Sequence, residues 1–167
     1  SHYHGNSTLF PRFVECPEVL HTLGLDEFDK HSSFVFLDTE TTGLSRGTGT
    51  YVFLVGVGQY YEDSFVIRQY FLRDLPEEWG MLYLVNELLS ETGVLVTYNG
   101  RSFDVPLLET RFTCSRMQTN ILSIPHLDLL HPTRRLWKER IGSCALSNVE
   151  LQILGVERSG DVPGSMI

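Results

Sequence analysis

Two acids stand two residues apart at the end of an apolar run, in Phe34-Val-Phe-Leu-Asp-Thr-Glu-Thr-Thr-Gly-Leu44. The four apolar residues Phe34 to Leu37 predict a buried strand. Alternate residues of a strand share a face, so Asp38 and Glu40 would present their carboxylates side by side. Two like charges held that close are costly unless a cation sits between them. Thr41, Thr42, Gly43 and Leu44 add hydroxyls, a turn and free backbone N–H groups, and the glycine lets another molecule approach closely. The stretch reads as a divalent-metal site at the mouth of a sheet.

A second acid follows in Thr97-Tyr-Asn-Gly-Arg-Ser-Phe-Asp104. It lies just past a fourth predicted strand, Val94 to Tyr98, in the first turn of a helix. Taken alone, Asp104 is a residue that offsets a helix dipole. A crossover helix, however, puts the fourth strand parallel to and beside the first, with both ending at one sheet edge. Asp104 would then come near Asp38 and Glu40. Three oxygen donors with no Cys or His partner favour a hard ion, Mg²⁺ or Mn²⁺.

The elements that must position these acids follow from the order of the chain. Residues 1–31 hold Pro11 and Pro17, show no sustained period and read as irregular, with His2 and His4 on a flexible terminus rather than on a metal. Gly43 to Thr50 is a loop, and Gly47-Thr48-Gly49 is too short for a phosphate-loop signature. Tyr51 to Tyr60 and Ser64 to Leu72 are rich in strand formers, and the break at Glu62-Asp63 makes them a hairpin. A helix opens at Asp74-Leu-Pro-Glu, carries Trp79, Leu82, Val85, Leu88 and Leu89 at helical period, and stops at Gly93. Asn99-Gly100 turns the chain, and Ser102 is placed to cap a helix through Leu107, Leu108 and Phe112. A short strand within His126 to Leu130 precedes a basic helix bearing Trp137, which reads as a packing residue. Ser147-Asn-Val-Glu150 has the form of a capping box, with Gly155 as the stop. The order β-β-β-α-β-α-β-α implies an α/β domain, a mixed sheet with helices on its faces.

Composition narrows the function. A chain of 167 residues, 42% hydrophobic, suits one domain with a substantial core. Its apolar runs fall far short of the ~20 residues of a membrane helix, and no signal peptide opens it. The widely spaced Cys16, Cys114 and Cys144 read as buried thiols, which fits a cytoplasmic protein with no membrane association. A net charge of -8 argues against a general DNA-coating protein but leaves room for a nuclease, whose metal ions offset local acids. The one basic stretch sets Arg134, Arg135, Lys138 and Arg140 against Glu139. It is either a set of phosphate contacts, Arg134, Arg135 and Lys138 foremost, or a solvated helix face. Asp128 shares a strand face with His126, and both a metal-adjacent role and a hydrogen-bonded strand-end role stay open for it.

Asp38-Thr-Glu40 with Thr-Thr-Gly-Leu, followed by Tyr98-Asn-Gly-Arg-Ser-Phe-Asp104, resembles the DEDD 3′–5′ exonucleases of the ribonuclease-H-like fold. The strongest likeness is to the bacterial YprB-type ribonuclease-H-like domain. It extends to Gly49-Thr-Tyr51, His126-Leu-Asp-Leu-Leu-His131, Arg134 to Lys138, Leu154-Gly155, Arg158 and Asp161-Val-Pro-Gly164. The resemblance implies a five-stranded mixed sheet, three antiparallel strands and then parallel ones, in a single domain over 1–167. It implies Asp38, Glu40 and Asp104 as the first three metal carboxylates of a two-metal phosphodiesterase, Asp38 bridging both ions. Thr41, Thr42, Gly43 and Leu44 would line a pocket for the terminal nucleotide, with Asn99 and Phe103 beside it. The implied partner is single-stranded DNA or RNA. The family's fourth Asp, with its His or Tyr, is expected on a later helix that this sequence does not contain, so the chain is expected to stop short of that helix. Glu157 and Asp161 have a similar acid spacing but lack the His or Tyr. The competing expectation is a nuclease-like fold that no longer cuts and binds nucleic acid or protein instead.

Overall fold

A computed structural model describes residues 33–43, 48–61 and 64–158, and the backbone pairing of Tyr3–His4 with Ser7–Thr8. The expected irregular N-terminus beyond that pairing, Leu44, the Glu62-Asp63 turn and Asp161 lie outside the described residues. The main sheet has five strands: β1 (Phe34–Thr41), β2 (Val52–Tyr61), β3 (Ser64–Phe71), β4 (Val94–Thr97) and β5 (His126–Asp128). Their spatial order is β3-β2-β1-β4-β5. The first three pair antiparallel, while β4 runs parallel to β1 and β5 parallel to β4. The mixed five-stranded sheet expected from the sequence is therefore the one observed.

The crossover between β3 and β4 is α1 (Glu78–Ser90), entered through a 3₁₀ turn, Leu75–Glu77, whose second residue is Pro76. That position suits proline, since its missing N–H would have no partner there. Helix α2 (Asp104–Cys114) connects β4 to β5, and α3 (Leu130–Ile141) follows β5. A last short helix, α4 (Leu146–Val149), widens into a π turn over Glu150–Leu154 and ends at Gly155, whose φ of 67° is left-handed. That is the residue expected as the stop, and the conformation favours glycine.

Two caps differ from expectation. Helix α2 begins at Asp104 with Phe103 in the capping position and no side-chain cap, so Ser102 does not cap it. Ser147 lies inside α4, and the capping box does not form. Instead the Asn148 amide donates to the carbonyls of Ile141 and Ser143, which ties α4 to the preceding turn and draws its start to Leu146.

The faces of β1 separate two cores. Val35 and Leu37 pack with Val55 and Val57 of β2 and with Leu82, Val85 and Leu89 of α1, and the same cluster takes in Leu108 and Phe112 of α2. Phe34 belongs to a smaller cluster with Val94, Val96 and Leu127, against which Phe36 and Leu129 rest. This alternation carries on to the site: odd positions of β1 look toward α2 and even positions look away.

Candidate metal-binding site

The strand pairing fixes where the acids fall. In the parallel register Phe34 meets Val94 and Phe36 meets Val96, so β1 and β4 run side by side and end at the same sheet edge. Asp38 and Glu40 lie on the last turns of that edge, opposite Gly56 and Leu54 of β2. A register shift between Glu40 and Thr41 marks a bulge there, and such bulges bend a strand and re-aim its side chains. Beyond it the Thr42 N–H donates to the Tyr51 carbonyl and the Tyr51 N–H to the Thr42 hydroxyl, both at 3.0 Å. The Thr41 hydroxyl bonds the Gly43 carbonyl at 2.9 Å. Thr41, Thr42 and Gly43 thus form a closed turn directly after the acids.

Asp104 reaches the same edge from the start of α2. After β4 the chain reverses through Asn99, whose φ of 68° is left-handed, and Gly100. A Cβ on Gly100 would lie 2.5 Å from that of Thr97, so only glycine fits this turn. The buried Asp104 carboxylate accepts a 2.5 Å hydrogen bond from the Thr39 hydroxyl. Thr39, between the two acids of β1, is the residue sequence reasoning missed. It belongs to the odd positions that face α2, which is why it and not Asp38 or Glu40 meets Asp104.

The electrostatics tie the acids together. Asp38 is held above its ordinary carboxylate value of 3.8, first by the protein crowded round it and next by the like charge of Glu40. Asp104 is also raised, chiefly by burial. The Thr39 hydrogen bond opposes that rise, and the charge of Asp38 adds to it. Each shift reports an anion that the surrounding protein fails to stabilise fully. Arg158 acts weakly on Asp38 in the opposite sense, and its guanidinium is held by Glu150 at 2.5 Å. Three carboxylates, no thiol, no imidazole and a charge excess suit a hard divalent cation. The three do not converge as they stand: among the described residues no group of three or more acids, histidines or cysteines is set to hold a metal ion. Asp104 is anchored to Thr39, at an odd position of β1, whereas Asp38 and Glu40 occupy even positions.

The remaining expected residues separate cleanly. Asp128 is buried and accepts three backbone N–H groups: Asn99 at 2.7 Å, Leu130 at 3.0 Å and Arg101 at 3.0 Å. It fixes the turn after β4 and the entry to α3. Asn99 stands in that turn, and Phe103, half exposed, flanks Asp104. Arg134, Arg135 and Lys138 are exposed on α3, while Trp137 is half-buried. A further arginine was unforeseen. Arg111 of α2 makes a bidentate pair with Glu78 of α1 at 2.6 and 2.7 Å, bonds the Thr48 carbonyl at 2.7 Å and lies 4.1 Å from the Tyr51 ring centre. It ties the loop after the acids to both helices.

A family model of the RNase H superfamily matches residues 35–167. The chain belongs to that superfamily. It is 39% identical over 176 aligned residues to the uncharacterized protein YprB of Bacillus subtilis (strain 168), a match covering 98% of this chain and 41% of that protein. Among solved structures it is similar to E. coli exonuclease I in complex with a dA16 oligonucleotide. The TM-score is 0.65 at 14% identity, over 81% of this chain and 38% of that one. The zinc-bound form of the E. coli exonuclease I complex with single-stranded DNA gives 0.56 at 14% identity, over 66% and 30%. The chain thus spans less than half the length of each of these relatives. No helix among the described residues is long and apolar enough to cross a membrane.

Proposed function

We propose that this domain is a metal-dependent nuclease, a 3′–5′ exonuclease acting on single-stranded DNA or RNA in the cytoplasm. The observation that carries the reading is the shared edge of β1 and β4, where the charge of Glu40 acts on Asp38 and that of Asp38 on Asp104. Mg²⁺ or Mn²⁺ would be held by these three carboxylates. Bound ions would supply an activated water and charge stabilisation for the leaving 3′ oxygen.

The protein's own residues do the rest. Asp38 and Glu40 offer oxygens from one face of β1, and Thr39 orients Asp104 from the other. Thr41, Thr42, Gly43 and Leu44 border the terminal nucleotide, and Phe103 and Asn99 flank it, with the exposed Phe103 ring as a stacking surface. The likeness in fold to exonuclease I supports the architecture, and the complexes of that enzyme with single strands suggest the substrate class.

The test is a time course on 5′-labelled single-stranded DNA and RNA with Mn²⁺ and with Mg²⁺. A ladder shortening from the 3′ end, abolished by chelation and by Asp38→Ala, is expected; uncut strands under every condition would refute the reading. A specific observation favours a second reading, a nuclease-like fold that binds without cutting: no three-acid group stands ready to hold a metal among the described residues. Strand binding that persists without any cleavage would select it.

A further inference from the structure

Helix α3 is the basic element of an acidic chain, and its cations do not all face the same way. Arg134 and Lys138 are one turn apart, the spacing that puts two side chains on one helix face. Both line a concavity of about 340 Å³ whose other walls are Ser143, Cys144 and Ala145 from the turn after the helix. Arg135 and Arg140 do not line it. Neither Arg134 nor Lys138 has an ion-pair partner among the described residues, whereas Arg73, Arg111 and Arg158 each pair with a glutamate. Lys138, in the last turn, has an ordinary use in offsetting the helix dipole. Arg134, a turn earlier, lies outside the reach of that effect.

The concavity is joined to the acidic edge by one side chain. Tyr98 follows β4 directly, and its hydroxyl donates to the Cys144 carbonyl at 2.7 Å. The same phenol feels Arg134 and bonds Thr133, so the wall, the helix and the end of β4 meet there. Along the chain, Tyr98 leads through Asn99 and Phe103 to Asp104. Tyr98 thus links the wall of the basic hollow to the end of β4, the strand whose following turn leads to Asp104.

We propose that Arg134 and Lys138 form a phosphate subsite for an internal backbone phosphate of the single strand whose end lies at the acidic edge. This rests on the nuclease reading for the position of that end. The subsite positions the strand and takes no part in the chemistry, so it contributes to the affinity for chains and not to that for a small diester.

The test compares Arg134→Ala/Lys138→Ala with Arg140→Ala on the same helix. One readout is binding of a labelled single strand of about 12 nucleotides, within the span such a groove covers, across a range of salt. The other is Mn²⁺-dependent hydrolysis of bis(p-nitrophenyl) phosphate, which carries no neighbouring phosphate. The double variant is expected to bind the strand roughly tenfold more weakly and to lower the salt slope by about 0.7, the share of one lost phosphate contact on a single strand. Its small-diester hydrolysis and melting temperature should match the parent, and Arg140→Ala should bind as the parent does. Unchanged strand binding, or equal loss in Arg140→Ala, would overturn the subsite. So would a parallel fall in small-diester hydrolysis. A parent that hydrolyses neither substrate but binds the strand through these two cations would refute catalysis and leave the subsite standing.

Discussion

Glu78 and Asp38 are acids of the same fold with opposite fates. Glu78 is buried, yet Arg111 meets it through two hydrogen bonds, so its charge is answered by the protein. Asp128 is buried as well, and three backbone N–H groups answer it. Asp38 is pushed toward protonation first by burial and next by the like charge of Glu40. Asp104 has the Thr39 hydroxyl and backbone hydrogen bonds against its burial, and these do not offset it. Acids whose partners outweigh their burial add to stability, while acids whose partners do not offset it cost stability and point to something that binds. The contrast within one domain, rather than the acids alone, is what supports the proposed ligand site at the edge of β1.

The largest effect expected from this contrast is on turnover. Asp104→Asn keeps the size of the side chain but removes an anion, and should lower phosphodiester cleavage by roughly 100-fold or more. Cleavage rates with saturating Mn²⁺ check it, and parent-like turnover would remove Asp104 from the site. Next, Glu78→Ala leaves Arg111 buried without its partner and should cost about 3–5 kcal/mol in denaturant unfolding. A loss of only a few tenths would mean the pair is not the closed unit described.

Asp128→Ala comes third, because it strips acceptors from backbone groups and not from a cation. It should destabilise by about 1–3 kcal/mol with Mn²⁺ affinity unchanged. Lost Mn²⁺ affinity at full stability would move Asp128 into the metal set. Thr39→Val then tests positioning. Outer-shell partners of metal ligands are worth roughly 10–100-fold in affinity, and a drop of about tenfold in Mn²⁺ binding is expected.

The smallest effect is a shift in melting temperature with pH. Asp38 and Asp104 are raised above the unfolded value near 3.8, so their contribution to stability is present below that value and is lost as pH rises through their folded values. Metal-free Asp38→Asn should accordingly melt above the parent at pH 7, and the gap should close toward pH 4. Added Mn²⁺ should reverse the order, since it stabilises only the parent.

Much of this edge was legible in the sequence, and the reasons are local. Phe34 to Leu37 declared a buried strand, period two placed Asp38 with Glu40, and the crossover brought Asp104 to the same end. What stayed hidden depended on partners distant in the chain. The pairing of Arg111 with Glu78 spans 33 positions and leaves no mark in either neighbourhood. The donors that claim Asp128 are backbone groups of a turn nearly thirty residues earlier and of the next helix, which a side-chain pattern does not display. Thr39 was overlooked because its role follows from which face of β1 carries α2. The serine caps at 102 and 147 failed for a local reason: the turn before α2 is closed by backbone bonds to the Asn99 and Gly100 carbonyls, and Asn148 ties the start of α4 to the preceding turn.

The most direct measurement is Mn²⁺ titration by calorimetry on the parent chain, Asp38→Ala and Asp128→Ala. Saturable binding in the parent and in Asp128→Ala, lost in Asp38→Ala, is the predicted result: the unanswered acids hold the cation and the answered one does not. Binding that survives in Asp38→Ala, or no binding by the parent at any Mn²⁺ concentration, would contradict it.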